Sequence, residues 1–562
     1  MKPDILKEYE NMPLIRYTEL DRKGIETVDF SRLGDFSGDG VLKACMLEGG
    51  KLKQMYTEQG NHVGVIAATR LGKTTGYVIP TIISFAKQKV KKPMIISDPK
   101  GEVYRLTAET LRREGYKVKL LNFRDRKHTE NWNPLTPVYR KYMQYLHLGD
   151  ETETVFAGNN LKYKFQGKLY DTKEELDHAV KTEKRYLLED VYNEIDNIAS
   201  MIIVPQEHVP DRSWEDGARD LLKGFMHAML EDTVKIDNPI TEETYSIKTL
   251  LEIMSTFRMG GGMSDSLDDG GYFSRRNDYS EAKRLVAPLI LWTKRGTASS
   301  YLSVFNVGIQ AFKEVTTKSI TSCNSFEMDE LTDGGPIAVF VSFKDELKTQ
   351  YKTISLFVQA AYKHLIEVAN GKENGKLDVP FYFILDEFGN FPAMRDFETT
   401  ISACAGRNIW FILIIQSYAQ LEQVYKKDVA AIIKDNLNMH VFFGSNNPET
   451  LQAFSDECGK KTIISPMCAM SGDAPYIERF DKETIPLVPV STLTRFERGE
   501  CIITEANCGY VMLSKLERFY MCDELKNLPL SYEKDYVGKI NPLDDKYTYI
   551  YKNDDDDDDD LF

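Results

Sequence analysis

The sequence predicts an α/β protein, with a mostly parallel sheet flanked by helices and interrupted by a mainly helical insertion. Three observations predict it. Short apolar runs at 62–68, 92–97 and 116–123 alternate with helical spacing, the rhythm of βαβ units. That rhythm stops after Trp132, Asn133, Pro134 and Leu135, and residues 140–335 are mostly helical in pattern. Strand texture then returns at 336–343, 381–389, 409–417 and 440–445, so that one sheet is completed late in the chain.

Each part follows from local chemistry. Residues 1–60 are mixed and polar and read as an N-terminal arm. The sheet domain takes 61–139 and 336–530, the helical insertion 140–335, and a C-terminal extension 531–562. Within the insertion, 213–232 opens on the N-cap candidate Ser213 and sets Leu221, Leu222, Phe225, Met229 and Leu230 on one face. Residues 159–176 suggest an inserted hairpin, 258–276 a glycine- and aspartate-rich mobile loop, and 498–515 a terminal hairpin. The seven aspartates at 554–560 repel one another and carry no apolar residue to bury, so they predict a solvated tail.

Composition excludes several classes. At 562 residues, 42% of them hydrophobic and 28% charged, the chain can form two or three ordinary globular domains. No apolar run approaches the ~18 residues of a membrane-spanning helix, and the N-terminus lacks a secretory signal, so a cytoplasmic chain is expected. The eight cysteines include no C-x-x-C pair, which argues against a zinc site and a disulfide framework. A formal charge of −15 excludes attraction to nucleic acid over the whole surface, leaving only a local basic strip. Arg275, Arg276, Lys294 and Arg295 are the candidates for such a strip, or form an ordinary solvated face.

The chemistry concentrates at predicted strand ends. Ala67-Ala-Thr-Arg-Leu-Gly72-Lys73-Thr74 follows a strand and opens a helix, the setting a phosphate-binding loop needs. Backbone N–H groups there point at the phosphates, Lys73 reaches the β/γ oxygens, and the Thr74 hydroxyl faces Mg²⁺. The nucleotide-binding candidates are Ala67, Thr69, Gly72, Lys73, Thr74 and Thr75, with Ala67 where the usual motif begins with glycine. The run 381–385 ends in Asp386 and Glu387, at the edge where ligands of open α/β sheets sit. Asp386 would join Thr74 around the metal, and Glu387 would polarise the attacking water. Gln416 ends the strand 409–415 as a sensor of the γ-phosphate, or simply as its polar cap. Arg407 precedes that strand, away from its own phosphate loop, and suits an arginine finger reaching a neighbouring subunit, or a solvated loop arginine. Asp98 and Lys100 support the site or form a turn; both readings are open.

Together these residues resemble the TraG-type coupling proteins of type IV secretion and conjugation, a branch of the FtsK/HerA-like P-loop ATPases. The resemblance runs from about 62 to about 462. It is carried by 67–74, the Asp-Pro-Lys-Gly-Glu box at 98–102, Asn131 to Leu135, Leu385-Asp-Glu-Phe-Gly389, and Gln416, Ser417, Gln420 and Leu421. It implies a RecA-like P-loop fold, ATP and Mg²⁺ as cofactors, and a homo-hexameric ring. It implies as cargo relaxase-bound DNA, expected single-stranded, or protein, and as partners the relaxase and the subunits of a secretion channel. It also implies the trans-acting role for Arg407 and the sensor role for Gln416. Typical members begin with transmembrane helices; here the expectation is a separate membrane-anchoring subunit and a peripheral place at the inner face of the membrane. Two other functions fit the same residues: a HerA/FtsK-like DNA translocase outside secretion, and a nucleotide-switched recruiting platform.

Overall fold

The computed structural model describes residues 14–16, 28–29, 40–48, 51–56, 60–157, 160–204, 213–259, 271–290, 295–471, 474–497, 499–506, 511–516, 518–521 and 525–550. The aspartate run 554–560, Lys294 and residues 260–270 of the glycine-rich segment lie outside them.

The chain divides into two compact units. The first holds residues 1–122, 328–351 and 361–536, and the second holds 123–327, 352–360 and 537–562. The first is organised by a sheet of ten described strands. In chain order they are β1 (Leu14–Arg16), β2 (Val63–Ala67), β3 (Met94–Asp98), β4 (Lys117–Asn122), β5 (Ile337–Ser342), β6 (Phe381–Leu385), β7 (Ile409–Ile415), β8 (Met439–Gly444), β9 (Glu500–Glu505) and β10 (Val511–Lys515). Their order across the sheet is β1-β10-β9-β8-β2-β7-β6-β3-β5-β4. From β8 through β2, β7, β6, β3 and β5 to β4 every pairing is parallel. The 498–515 hairpin is realised as β9 and β10, which join the sheet antiparallel.

Burial explains the continuous apolar runs. All five residues of β6 are buried, as expected of a parallel strand covered on both faces. Phe383 stacks on Phe411 at 4.9 Å, while the next residue back, Tyr382, packs on Phe85 of helix Ile79–Lys87 at 4.4 Å. Helices Ile79–Lys87 and Glu102–Arg113 belong to this unit, as do Phe397–Gly406 and Tyr418–Asn436.

The N-terminal arm contributes more than an arm. β1 pairs with β10, and a small antiparallel sheet gathers Val28–Asp29, Leu42–Glu48 and Lys51–Tyr56.

The second unit carries helices Thr136–His147, Lys173–Ile202, Ser213–Glu231 and Ile247–Met259, followed by Glu281–Ile290 and Arg295–Gly308. The hairpin expected at 159–176 is part of a three-stranded antiparallel sheet of Glu153–Ala157, Asn160–Phe165 and Lys168–Tyr170. The division between units falls after Asn122 and after Glu327, whereas the sequence suggested 139/140 and 335/336. The reason is a buried knot. The Asn131 amide donates to Ser319 O at 3.1 Å and the Asn133 amide to Tyr245 O at 2.8 Å. Trp132 sets its ring edge-on to Phe357 at 5.1 Å. The Asn-Trp-Asn box thereby fastens the entry of the helical unit to its own later helices.

One expectation is corrected here. Arg276 is not a nucleic-acid-facing cation. Its guanidinium bonds Glu231 and Asp232, each at 2.9 Å, and lies 4.5 Å over the Tyr272 ring, with a side chain only 9% exposed. Two carboxylates bind it more strongly than solvent does. Its neighbour Arg275 is exposed.

Candidate active site

The site lies at the C-terminal ends of adjacent strands β2, β7 and β6. After β2 the chain turns through Arg70 and Gly72, both left-handed at φ 70° and 96°. A side chain rarely tolerates that conformation, and glycine removes its cost at position 72. The turn is anchored by Ala68 N–H donating to Gly444 O of β8 at 3.0 Å. Helical structure starts at Lys73 in a wide first turn, Lys73–Val78, before the helix Ile79–Lys87 with Pro80 in its first turn. Ala67 closes β2 with its side chain fully buried, and Thr69 is exposed in the loop.

Lys73 points across to β6. Its Nζ lies 3.0 Å from Asp386 Oδ1 and also bonds Glu387 Oε1. Burial alone would lower the Lys73 ammonium, but the two carboxylates more than offset it and hold it above its ordinary value. Burial pushes Asp386 up, and Lys73 partly compensates. Glu387 holds a left-handed backbone at φ 56°, the kind of strain that collects at functional sites, and its N–H donates to Asp386 Oδ1 at 3.0 Å. Its other oxygen, Oε2, accepts from Gln416 Nε2 at 2.9 Å. Lys73, Asp386, Glu387 and Gln416 therefore form one connected group, and Gly72, Thr74 and Thr75 share its turn.

Two supports were not assigned a role from sequence. Gln420 accepts from Gln416 N–H at 3.2 Å and donates to Asn390 at 2.9 Å. A Cβ at Gly389 would come within 2.4 Å of the Gln420 side chain, so the glycine after Asp386-Glu387-Phe388 is what lets Gln420 reach beneath Gln416. The Ser97 hydroxyl donates to Asp386 O at 3.0 Å. The Ser97 link joins strand ends remote in sequence, while Gln420 reaches the site from the helix Tyr418–Asn436, and only the boxed pattern around Gln420 hinted at either of them.

Asp98 forms its own turn. Its Oδ2 accepts from Tyr104 N–H at 2.7 Å at the start of helix Glu102–Arg113. Burial pushes this carboxyl up to about 7, against the pull of those backbone donors. Arg407 is not brought to the site. It precedes β7 at the strand's opposite end, and seven residues of strand put about 20 Å between the two ends. Its Nε donates to Asn370 Oδ1 at 2.9 Å and its Nη1 to Ala403 O at 3.0 Å.

A parallel sheet carrying a phosphate loop after β2 and paired carboxylates after β6 defines the class of P-loop nucleotide-binding proteins. Within that class the chain belongs to the Type IV secretory system Conjugative DNA transfer family, whose model matches residues 19–471. The conjugal transfer protein TraG of Escherichia coli is 22% identical over 443 residues, covering 75% of this chain and 59% of that protein. Protein VirD4 of Rhizobium rhizogenes is 22% identical over 404 residues, covering 72% of this chain and 50% of its own. The chain thus spans between half and three-fifths of the length of these curated relatives. Among solved structures, the plasmid coupling protein TrwB in complex with ADP and Mg²⁺ superposes with a TM-score of 0.55 at 12% identity, over 90% of this chain and 94% of that one. At that identity the likeness is one of fold. No helix among the described residues is long and apolar enough to cross a membrane.

Proposed function

We propose that the chain is an ATP-hydrolysing coupling protein that delivers DNA, with its bound relaxase, to a type IV secretion channel, working as a homo-hexamer. The observation that carries the ATPase reading is the connected group Lys73–Glu387–Gln416 with Asp386 at its base. The family supports the transfer reading, and the TrwB complex with ADP and Mg²⁺ supports the choice of cofactors.

The residues fit those cofactors. One buried carboxylate and one hydroxyl are the sparse, hard-oxygen donor set that Mg²⁺ accepts when phosphates and water supply the rest. Asp386 and Thr74 would hold the ion, and bound Mg²⁺ supplies neutralisation of charge on the phosphates. Lys73 would exchange its carboxylate partners for phosphate oxygens, which releases Glu387 Oε1 to take a proton from water. Gln416 holds the other oxygen of Glu387 and keeps the carboxylate oriented.

Glu387→Gln tests this. The variant should bind ATP like the parent and hydrolyse it about 10²–10⁴-fold more slowly, whereas Lys73→Ala should lose binding itself. Parental turnover in Glu387→Gln, followed by phosphate release with and without single-stranded DNA, would remove the assignment.

A further inference from the structure

The reactive end of the site accounts for only one flank of the phosphate loop. β2 has β7 and β6 on one side, with Gln416, Asp386 and Glu387 at their ends. On its other side stand β8, β9 and β10. The chain leaving β10 returns to the loop from that second flank. A Cβ at Gly76 would meet the Leu516 carbonyl at 3.0 Å, so this segment lies against the first helical turn after Lys73. Arg518 then reaches the loop itself, its Nε and Nη2 lying 3.7 and 3.8 Å from where a Cβ on Gly72 would stand. Thr75 Oγ1 is 3.7 Å from that same point. The guanidinium is held by the Tyr520 hydroxyl and lies 5.8 Å from the centre of the Tyr520 ring, which is 45% exposed.

We infer that Arg518 and Tyr520 form the nucleoside-binding wall of the site, taking the base and ribose of the nucleotide. This rests on the nucleotide-binding reading above. A nucleotide held through its phosphates by the loop has two ends. The γ-phosphate belongs on the β7–β6 flank, because Glu387 and Gln416 are there. The nucleoside must then leave toward the flank that carries Arg518 and Tyr520. Both groups suit it: a guanidinium plane and a phenol ring stack on a base whatever its identity. A P-loop fixes phosphates and carries no base contact of its own, so a wall supplied by a distant part of the chain is where affinity for a nucleoside over bare polyphosphate can arise.

The test is equilibrium binding by calorimetry on the full chain, with ADP·Mg and tripolyphosphate·Mg as separate probes. Arg518→Ala should weaken ADP about tenfold, the scale of one lost stacking contact, and leave tripolyphosphate unchanged. Lys73→Ala should weaken both. Tyr520→Ala should reproduce the ADP-only loss, and it decides the matter if Arg518→Ala does not fold. Parental ADP affinity in both wall variants overturns the inference, and so does an equal loss for both probes. If the parent binds neither probe, the nucleotide-binding reading falls and takes this inference with it; if the parent binds both, only the wall is being judged.

Discussion

Among the described residues, a mostly buried cation stands between two carboxylates in the sheet unit and another in the helical unit, and these two clusters do opposite things. In the sheet unit Lys73 meets Asp386 and Glu387; in the helical unit Arg276 meets Glu231 and Asp232. Every remaining acceptor around Arg276 is engaged: Tyr272 donates to Asp232 at 2.8 Å, and Ser280 donates to Glu231 at 2.8 Å. The planar fork, the ring beneath it and these hydroxyls fix a single geometry. Lys73 is a point charge on a flexible stem, facing a glutamate in a strained backbone beside a turn rich in N–H donors. A polyanion can compete for that ammonium, and nothing comparable can compete for the Arg276 fork. The difference teaches that exchangeability, more than burial or charge count, separates a site from a staple.

Arg407 is the largest test of that distinction, because it looks like a staple and is proposed as a site. Its bonds to Asn370 and Ala403 are both within its own chain. As a finger reaching a neighbouring subunit it is worth about 10³–10⁵ in rate, so Arg407→Ala should cripple turnover while ATP still binds. Mixing Arg407→Ala with Lys73→Ala chains should recover measurable ATPase activity, since some interfaces then pair an intact loop with an intact finger. If the mixture stays inactive under conditions where parental rings turn over, Arg407 belongs with Arg276 as a structural arginine.

Arg276→Ala should do the reverse of Lys73→Ala. Removing one partner of a buried pair strands the other charge, at a cost of about 3–5 kcal/mol. The thermal midpoint should fall clearly, while the folded fraction binds ATP with parental affinity. An unchanged midpoint together with weakened DNA stimulation would break the comparison and return Arg276 to the nucleic-acid surface.

What could be read from sequence follows the same line. The strands from β2 to β8 were legible because a parallel strand buried on both faces writes itself as an unbroken apolar run, as in 381–385. The phosphate loop and the acidic pair were legible because their chemistry demands fixed local spacing. Arg276 was misread because its partners Glu231 and Asp232 lie more than forty residues away, at and just past the end of helix Ser213–Glu231. The roles of Gln420, Ser97 and the Asn131–Asn133 knot were hidden for the same reason: each depends on which element packs next to it. The unit boundary moved with that knot.

Asp98 gives the smallest effect and a third outcome for a buried charge. It caps a helix and accepts from the Tyr104 N–H at 2.7 Å, while the neighbouring charges that act on it, Glu533 and Asp386, are both acidic. Burial therefore raises its carboxyl to about 7. A carboxyl whose folded value lies above its unfolded value of about 3.9 favours the folded state fully at pH below that unfolded value. That contribution is lost as pH rises through about 7, because the folded state must then ionise a buried acid. Asp98→Asn keeps an oxygen for the Tyr104 N–H and removes the titration. Relative to the parent, the variant should gain stability between pH 5 and pH 8, on the order of 1–3 kcal/mol given 1.36 kcal/mol per pKa unit. Thermal unfolding of both proteins across that range measures it. Parallel profiles would mean that Asp98 stays ionised in the folded chain, held there by its backbone donors in spite of its burial.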